Sequence, residues 1–142
     1  MRRVLVIDDE ADVRLLYRVN LRHAGYDVLE ADDGERGIDA ALEHAPDAVV
    51  LDLMMPRVDG FEVLRVLRAE PASCDVPVLV LTADSRVDDH HICFELGADE
   101  VITKPFMPEA LTEGIARLLG MSLEDRLAHR REAAEAAGTA FG

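Results

Sequence analysis

Five short apolar runs recur along the chain, and an amphipathic segment follows each of them. The expected strands are residues 3–7, 27–30, 48–51, 77–81 and 100–103, and the expected helices are residues 11–24, 34–44, 60–69, 86–96 and 108–119. Because the strand runs are apolar nearly throughout rather than alternating, they predict strands buried on both faces. The pattern therefore predicts an α/β fold with a doubly wound, five-stranded parallel sheet and five helices, formed by residues 1–120 as one domain.

Apolar residues spaced by one helical turn support the predicted helices. Leu15, Leu16 and Val19 share one face of the first amphipathic segment, and Ile38 and Leu42 share one face of the second. Spacing of this kind is typical of a helix that lays an apolar stripe on a sheet. Glycine and proline fall between the segments, where they favour turns.

Polar residues follow the carboxyl ends of four of the predicted strands. Asp8 and Asp9 follow the first strand, Asp52 the third, Thr82 the fourth and Lys104 the fifth. In a doubly wound sheet, ligands bind beyond the carboxyl ends of the strands, where the strand order reverses. Lys104 is also the only lysine among 15 basic residues. We therefore expect these five side chains to form one site.

Three carboxylates held within a few ångströms repel one another unless a cation lies between them. Mg²⁺ suits Asp8, Asp9 and Asp52, because it prefers oxygen ligands and shares them with phosphate groups. Asp52 ends the central strand alone and is the best candidate for a nucleophile that carries an acyl phosphate. Lys104 and Thr82 would then stabilise the phosphoryl oxygens. Each aspartate taken singly could instead cap a helix or a turn.

The motifs at these strand ends resemble those of a response-regulator receiver domain of bacterial two-component signalling. The matching segments are residues 6–10, 51–56, 59–60, 81–83, 97–99 and 103–106. The resemblance covers residues 2 to about 119. It implies that Asp52 accepts a phosphoryl group from the phosphohistidine of a sensor histidine kinase or a histidine phosphotransfer protein, and that an unknown downstream protein reads the result.

The resemblance also implies a role for each residue of the site. Asp9 and Asp52 would bind Mg²⁺ directly, together with the backbone carbonyl of Met54. Asp8 would hold the metal through water, and Lys104 would pair with the phosphate. The protein would be a switch that catalyses only its own phosphorylation and dephosphorylation, not an enzyme acting on other substrates.

Three further expectations concern how such a switch would work. The peptide bond before Pro105 is expected to be cis. Arg86, Val87 and the helix that follows would respond to phosphorylation. Val101, however, stands where the family usually has Tyr or Phe, two residues before the Thr of Thr103-Lys104-Pro105. This departure leaves phosphoryl capture unaffected but changes how the signal reaches the surface formed by the fourth helix, fifth strand and fifth helix.

Composition narrows the range of partners and compartments. The net charge of −14 argues against direct binding of nucleic acid, which requires clustered Lys and Arg. No apolar run approaches the roughly 18 residues that span a membrane. We expect a cytoplasmic protein without membrane contact, in which Cys74 and Cys93 are free thiols. A homodimer is a further candidate assembly.

Residues 121–142 follow the last motif and differ from the rest of the chain. Leu123 and Leu127 lie one helical turn apart, and alanines and charges come after them. This helical or flexible C-terminal tail could be a frayed end, a linker stub or a docking segment. The chain could accordingly be a stand-alone regulator or a part of a larger one.

Two other functional classes remain. A phosphorylation-independent interaction module would keep the fold and signal by binding alone, and Val101 gives this alternative some support. A Mg²⁺-dependent phosphatase with an Asp nucleophile calls for an Asp-x-Asp motif after the first strand. Here Asp8 and Asp9 are adjacent, which disfavours it.

Overall fold

The computed structural model describes residues 1–55, 57–83 and 87–139 of the chain, without the side chains of residues 87–89 and 137–139. Its strands are β1 (Arg3–Ile7), β2 (Asp27–Ala31), β3 (Ala48–Asp52), β4 (Val78–Thr82) and β5 (Glu100–Thr103). Its helices are α1 (Ala11–His23), α2 (Gly34–His44), α3 (Gly60–Ala69), α4 (Val87–Glu95), α5 (Pro108–Leu119) and α6 (Leu123–Thr139).

The five strands form one parallel sheet in the order β2-β1-β3-β4-β5, which confirms the predicted fold. The strand order reverses between β1 and β3, so the crevice at their carboxyl ends is the expected ligand position. The strands β3 and β4 each run one residue further than predicted, to Asp52 and Thr82. Both of these polar residues therefore belong to the sheet itself.

Two apolar layers enclose the sheet, one on each face. The first layer joins β1 and β3 to α2, α3 and α4, with Leu51 and Leu64 fully buried in it. The second joins the sheet to α1 and α5, with Val50 and Ile115 at its centre. Every residue of β3 and β4 is buried, as the unbroken apolar runs predicted. The edge strand β5 is only partly buried along its length.

The first helix faces the sheet with a different stripe from the one its apolar spacing indicated. Leu15, Leu16 and Val19 are 47%, 50% and 56% exposed. Tyr17 and Leu21 are buried instead, in the layer shared with α5. Helix α1 thus carries two apolar stripes, and the one with the larger aromatic side chain packs against the core.

Helix α2 lies close to β1 because a glycine faces the strand. A Cβ atom at Gly37 would lie 2.6 Å from Cδ1 of Ile7, well inside van der Waals contact. The same helix is capped by Asp33, whose side chain accepts a hydrogen bond from the backbone N–H of Arg36. Gly37 therefore sets the distance between α2 and the strand that carries Asp8.

The tail beyond residue 120 forms a sixth helix, one more than predicted, and that helix packs against α4. The backbone N–H of Asp125 donates to the hydroxyl of Ser122, which caps α6 at its start. Arg126 is buried, whereas the predicted apolar pair Leu123 and Leu127 is 37% and 43% exposed. The tail is thus helical over the range of α6, and its function stays a prediction.

Two expectations from composition can be compared with the structure. Within the described ranges, no helix is long and apolar enough to cross a membrane. Within the described residues, Cys74 and Cys93 form no disulfide bond, and Cys93 is buried.

Candidate functional site

Three aspartates converge at the carboxyl ends of β1 and β3. One carboxylate oxygen from each of Asp8, Asp9 and Asp52 lies within 4.8 Å of the other two. Asp8 and Asp52 are buried, and Asp9 is exposed. A neighbouring strand holds each position, since β1 and β3 pair directly from Val4–Ala48 to Ile7–Leu51. Sheet register therefore places Asp52 beside the end of β1, and the loop that follows β1 brings Asp8 and Asp9 to it.

Asp8 has one carboxylate oxygen with a partner and one without. Its Oδ1 accepts a hydrogen bond of 2.9 Å from the backbone N–H of Glu10. Its Oδ2 is buried and has no hydrogen-bond partner among the residues that the structure describes. The pKa of Asp8 is raised from 3.8 to about 6, chiefly by burial and in smaller part by the negative charge of Asp52. A buried carboxylate oxygen without a donor calls for a positive ligand.

Asp52 ends β3 with one oxygen already engaged. Its Oδ1 accepts a 3.2 Å hydrogen bond from the backbone N–H of Met54 and lies 3.7 Å from Nζ of Lys104. Burial raises the pKa of Asp52, and the ammonium of Lys104 opposes that rise. The backbone N–H and the ammonium thus both contact the same oxygen of the carboxylate.

Thr82 and Lys104 complete the site from β4 and the end of β5. Thr82 is fully buried and pairs in register with Thr103. The backbone N–H of Lys104 donates to the carbonyl of Thr82 at 2.7 Å, which holds the two residues together. The Lys104–Pro105 peptide bond is cis, as the resemblance implied.

The loop after Asp52 returns to the strand end through a close backbone contact. A Cβ atom at Gly60 would lie 2.9 Å from the carbonyl oxygen of Asp52, so only glycine fits there without a shift. The N–H of Gly60 donates to the carbonyl of Leu53 at 3.1 Å. Asp59 then caps α3 by accepting a hydrogen bond from the N–H of Glu62. These contacts fix the backbone that carries Asp52.

Two residues near the site escaped the sequence analysis. Nη1 of Arg14 donates to the carbonyl of Asp8 at 2.8 Å, one turn into α1. Burial raises the pKa of Tyr17, and the negative charge of Asp8 is the next cause. The strand-end rule cannot find them, because both lie on a helix. The sequence indicates them only by their position, since both lie in the first two turns of the helix that follows Asp8, and no motif includes them.

Two residues of the predicted switch need separate comment. Arg86 lies outside the described residues, as does the side chain of Val87. Val101 is partly buried and packs against the core layer on the α4 side of the sheet. It therefore occupies its position as an ordinary strand residue. The role of the Met54 carbonyl as a metal ligand stays a prediction.

Comparison with known proteins places this geometry in a family. Residues 4–116 match the family model described as the response regulator receiver domain. The chain belongs to this receiver family. It is the receiver domain of a two-component response regulator, and receiver domains bind Mg²⁺ at an acidic pocket. The cluster of Asp8, Asp9 and Asp52, with its unpaired buried oxygen, fits such an ion.

Solved structures of receiver domains share the fold closely. The Vibrio cholerae chemotaxis protein CheY4 at low pH is 30% identical with a TM-score of 0.79, covering 83% of this chain and 98% of that one. A putative response regulator from Chloroflexus aurantiacus is 31% identical with a TM-score of 0.80, covering 84% and 98%. In both cases the match leaves out roughly the length of this chain's tail.

Curated relatives are longer than this receiver. The DNA-binding dual master transcriptional regulator RpaA of Synechocystis is 44% identical over 119 residues, which cover 84% of this chain and 49% of that protein. The alkaline phosphatase synthesis transcriptional regulatory protein PhoP of Bacillus subtilis is 40% identical over 121 residues, covering 85% and 50%. The chain thus spans about half the length of the curated relatives it matches. Its predicted lack of direct nucleic-acid contact stays a prediction.

Proposed function

We propose that Asp52 is the phosphoacceptor of this receiver and that Mg²⁺ is required for the transfer. The observation that supports the proposal most directly is the placement of a buried Asp52 carboxylate between the lone Lys104 and an acid pair. One oxygen of that pair, Oδ2 of Asp8, is buried and unpaired. The arrangement presents a nucleophile and two positions for positive charge within one crevice.

The proposed reaction is a transfer from a phosphohistidine to Asp52. Oδ1 of Asp52 is held by the N–H of Met54, so Oδ2 is the oxygen that attacks phosphorus. The second nitrogen of the donor ring carries a proton before the transfer. The new O–P bond forms as the P–N bond breaks, the bonding pair stays on the ring nitrogen, and the imidazole leaves as a neutral ring. Nζ of Lys104 then moves from Asp52 to pair with a phosphoryl oxygen, and the hydroxyl of Thr82 donates to another.

The acidic residues would supply the metal site for this step. Asp9, Asp52 and the carbonyl of Met54 would hold Mg²⁺ directly, and Asp8 would hold it through water. Bound there, Mg²⁺ supplies positive charge that neutralises the phosphoryl oxygens. The raised pKa of Asp8 and its buried oxygen without a partner among the described residues support a cation beside this carboxylate.

An apolar surface beside the site supports a protein as the phosphoryl donor. Leu16 borders a cavity of about 260 Å³ that also includes Lys104, Pro105 and Phe106. Leu15 and Val19 continue the apolar surface along α1. An exposed apolar patch next to a reactive group is a typical contact for a partner protein. A sensor histidine kinase or a histidine phosphotransfer protein would dock here and bring its phosphohistidine to Asp52.

Phosphoryl uptake from acetyl phosphate with Mg²⁺ tests the proposed function. Intact mass should show one added phosphoryl group on the wild type and none on Asp52→Asn or after chelation of the metal with EDTA. A folded wild type that takes up nothing from acetyl phosphate or from a phosphorylated histidine kinase would contradict the proposal. That result would favour the alternative, a phosphorylation-independent interaction module.

A charge placed on α1 tests the proposed donor. Leu16→Asp should slow transfer from a phosphorylated histidine kinase by at least about tenfold, since a buried charge at an interface costs binding energy. Transfer from acetyl phosphate should keep its wild-type rate. Leu127→Asp makes the same change at a leucine of α6 that is 43% exposed, against 50% for Leu16, and is the control. Equal slowing by both variants, or by neither, would remove α1 from the donor contact.

A further inference from the structure

A buried carboxylate at the opposite end of β5 from Lys104 binds three arginines. Asp99 is fully buried and accepts a 2.8 Å hydrogen bond from the backbone N–H of Val78. Arg130 approaches its Oδ1 at 2.7 Å, and Arg126 and Arg68 approach its Oδ2 at 3.1 Å each. Arg68 comes from α3, whereas Arg126 and Arg130 come from α6. Asp99 therefore attaches α6 to the end of the sheet.

The face of α6 that meets the protein is polar. Arg126 and Arg130 lie one turn apart on it, while Leu123 and Leu127 are exposed on another side of the helix. Nη2 of Arg126 also donates to the backbone carbonyl of Asp75, just before β4. Charge-assisted bonds to fixed acceptors specify one position for a helix more narrowly than an apolar stripe does. The start of α6 is thus anchored at the amino ends of β4 and β5.

The later part of α6 contacts α4 instead of the sheet. The ring of His91 hydrogen-bonds through Nδ1 to the carbonyl of Ala134 at 2.7 Å. The ring of Phe94 meets the ring of His129 edge-on at 6.3 Å. Since α6 is anchored to Asp99, these contacts hold α4 in a fixed position relative to β5.

Helix α4 is in turn connected to the phosphorylation site. Nε2 of His90 lies 3.3 Å from the hydroxyl of Thr103, the residue before Lys104. Thr103 pairs in register with Thr82, and α4 begins five residues after Thr82. A movement of Thr82 and Lys104 toward a phosphoryl group would therefore act on α4 from two directions.

We propose that α6 is an intramolecular clasp that holds α4 in its unphosphorylated position and so opposes phosphorylation of Asp52. The clasp comprises Arg126 and Arg130 on Asp99 and the contacts of His129 and Ala134 with α4. A shift of α4 relative to β5 breaks the second set of contacts, because the first set keeps α6 in place. Coupling of this kind is reciprocal: phosphorylation loosens α6, and loosening α6 favours phosphorylation. The inference rests on the proposed function of Asp52.

Hydrogen exchange on the wild type tests the first half of this coupling. The probe is beryllium fluoride with Mg²⁺, a mimic of the aspartyl phosphate. The amides of residues 129–136 should exchange at least about threefold faster when the mimic is bound. Faster exchange there, with bound mimic verified by intact mass or fluorine NMR, supports the clasp. Unchanged exchange over 129–136 with the mimic bound overturns it.

Affinity for the same mimic tests the second half. Arg126→Ala and, separately, His91→Ala should bind beryllium fluoride about fivefold more tightly than the wild type. Arg131→Ala removes an exposed arginine of α6 and should leave affinity unchanged. A merely destabilised fold would weaken binding instead. His91→Ala acts at a half-exposed position, so it keeps the test informative if Arg126→Ala does not fold.

The outcomes separate this inference from the proposed function. Tighter binding by the clasp variants alone supports the clasp. Equal or weaker binding by His91→Ala, with the wild type accepting the mimic, overturns the clasp and leaves the phosphoacceptor intact. A wild type that accepts neither the mimic nor a phosphoryl group overturns the proposed function, and the coupling with it.

Discussion

At the scale of single residues, Asp8 is the clearest departure from the rules that govern a stable core. Its Oδ2 is buried without a partner, and its neighbour Asp52 is another buried carboxylate. An unpaired buried charge is destabilising unless a ligand compensates it. The receiver therefore carries an electrostatic cost in its ground state that a bound cation would remove.

That cost gives the protein a predicted dependence of stability on pH. The folded pKa of Asp8, about 6, lies above the unfolded value of 3.8, so the folded state binds the proton more tightly. Without divalent cations, the contribution of Asp8 to the free energy of unfolding should fall as pH rises from about 4 to about 6. Asp8→Asn should abolish this fall and stabilise the protein at neutral pH by at most about 3 kcal/mol.

Urea unfolding in EDTA at about pH 4.5 and about pH 7.5 measures the effect. With saturating Mg²⁺ the wild type should instead be more stable than Asp8→Asn, because the wild type gains more free energy of unfolding from binding the ion. A variant that is less stable than the wild type in EDTA at the higher pH would show that Asp8 is not electrostatically strained.

The site residues were accessible from sequence because the fold places strand ends together. Asp8, Asp52, Thr82 and Lys104 all follow apolar runs, and parallel strands bring such positions to one edge. The hydrogen bond from Arg14 to the carbonyl of Asp8 could not be predicted from sequence, since it depends on how α1 is rotated about its axis. Roles that depend on a bound ion or phosphate stay predictions.

At the scale of elements, helical periodicity predicted that α1 is a helix but not which of its faces is buried. Leu16 and Val19 are at least half exposed, and Tyr17 and Leu21 take the core positions. Both apolar stripes of α1 have the same helical spacing. Which of them faces the sheet depends on how well its side chains fill the space there. The exposed stripe, which includes Leu16 and Val19, is the one that we propose contacts the phosphoryl donor.

The contact between α2 and β1 gives a prediction in which sterics oppose helix propensity. Gly37→Ala should favour the helix by about 1 kcal/mol. Its new methyl group would lie 2.6 Å from Ile7, however, and overpacking costs about 1–3 kcal/mol. We expect a net loss of stability in thermal or urea unfolding.

Gly120→Ala is the matched control for this substitution. A Cβ atom at Gly120 would have its nearest neighbour at 3.5 Å, and the backbone there is right-handed. It should be neutral or stabilising by up to about 1 kcal/mol. If both variants gain stability, α2 can move away from β1 and Gly37 does not set their separation.

At the scale of the whole molecule, Asp99 connects parts of the chain that are distant in sequence. Its carboxylate contacts α3 through Arg68, β4 through Val78, and α6 through Arg126 and Arg130. Burial and, after it, the nearby guanidinium of Arg130 lower the pKa of Arg68 to about 10, against the opposing effect of Asp99. Among the described residues, Asp99 is the carboxylate that pairs with all three arginines, and the charge of Asp75 adds a weaker attraction for Arg68.

Removing that charge should destabilise the entire fold. Asp99→Asn leaves three buried guanidiniums without their counter-ion, and loss of one partner from a buried ion pair costs about 3–5 kcal/mol. Glu100→Gln changes the adjacent residue, which pairs with the largely exposed Arg117, and should cost less than about 1 kcal/mol. Urea unfolding compares the two. A similarly small loss of unfolding free energy in both variants would mean that water solvates the three arginines once Asp99 is neutralised.

The docking of α6 is the part of the architecture that sequence reasoning could not supply. Its apolar pair, Leu123 and Leu127, points to a contact that does not form within the described residues, and its arginines look like solvated charges. Their partner, Asp99, lies 27 and 31 residues away from them. Patterns along one helix carry no information about a carboxylate buried elsewhere.

Strand β5 is only four residues long, with Asp99 immediately before it and Lys104 immediately after it. At roughly 3.3 Å per residue, the five steps from Asp99 to Lys104 span about 17 Å. The strand therefore fixes the distance between Asp99, which binds α6, and Lys104, whose ammonium lies at the acidic site. Inserting or deleting a single residue within it would displace one group or the other and reverse which side chains face each layer. The length of β5 is consequently constrained at both ends, by the attachment of α6 to Asp99 and by the position of Lys104 at the acidic site.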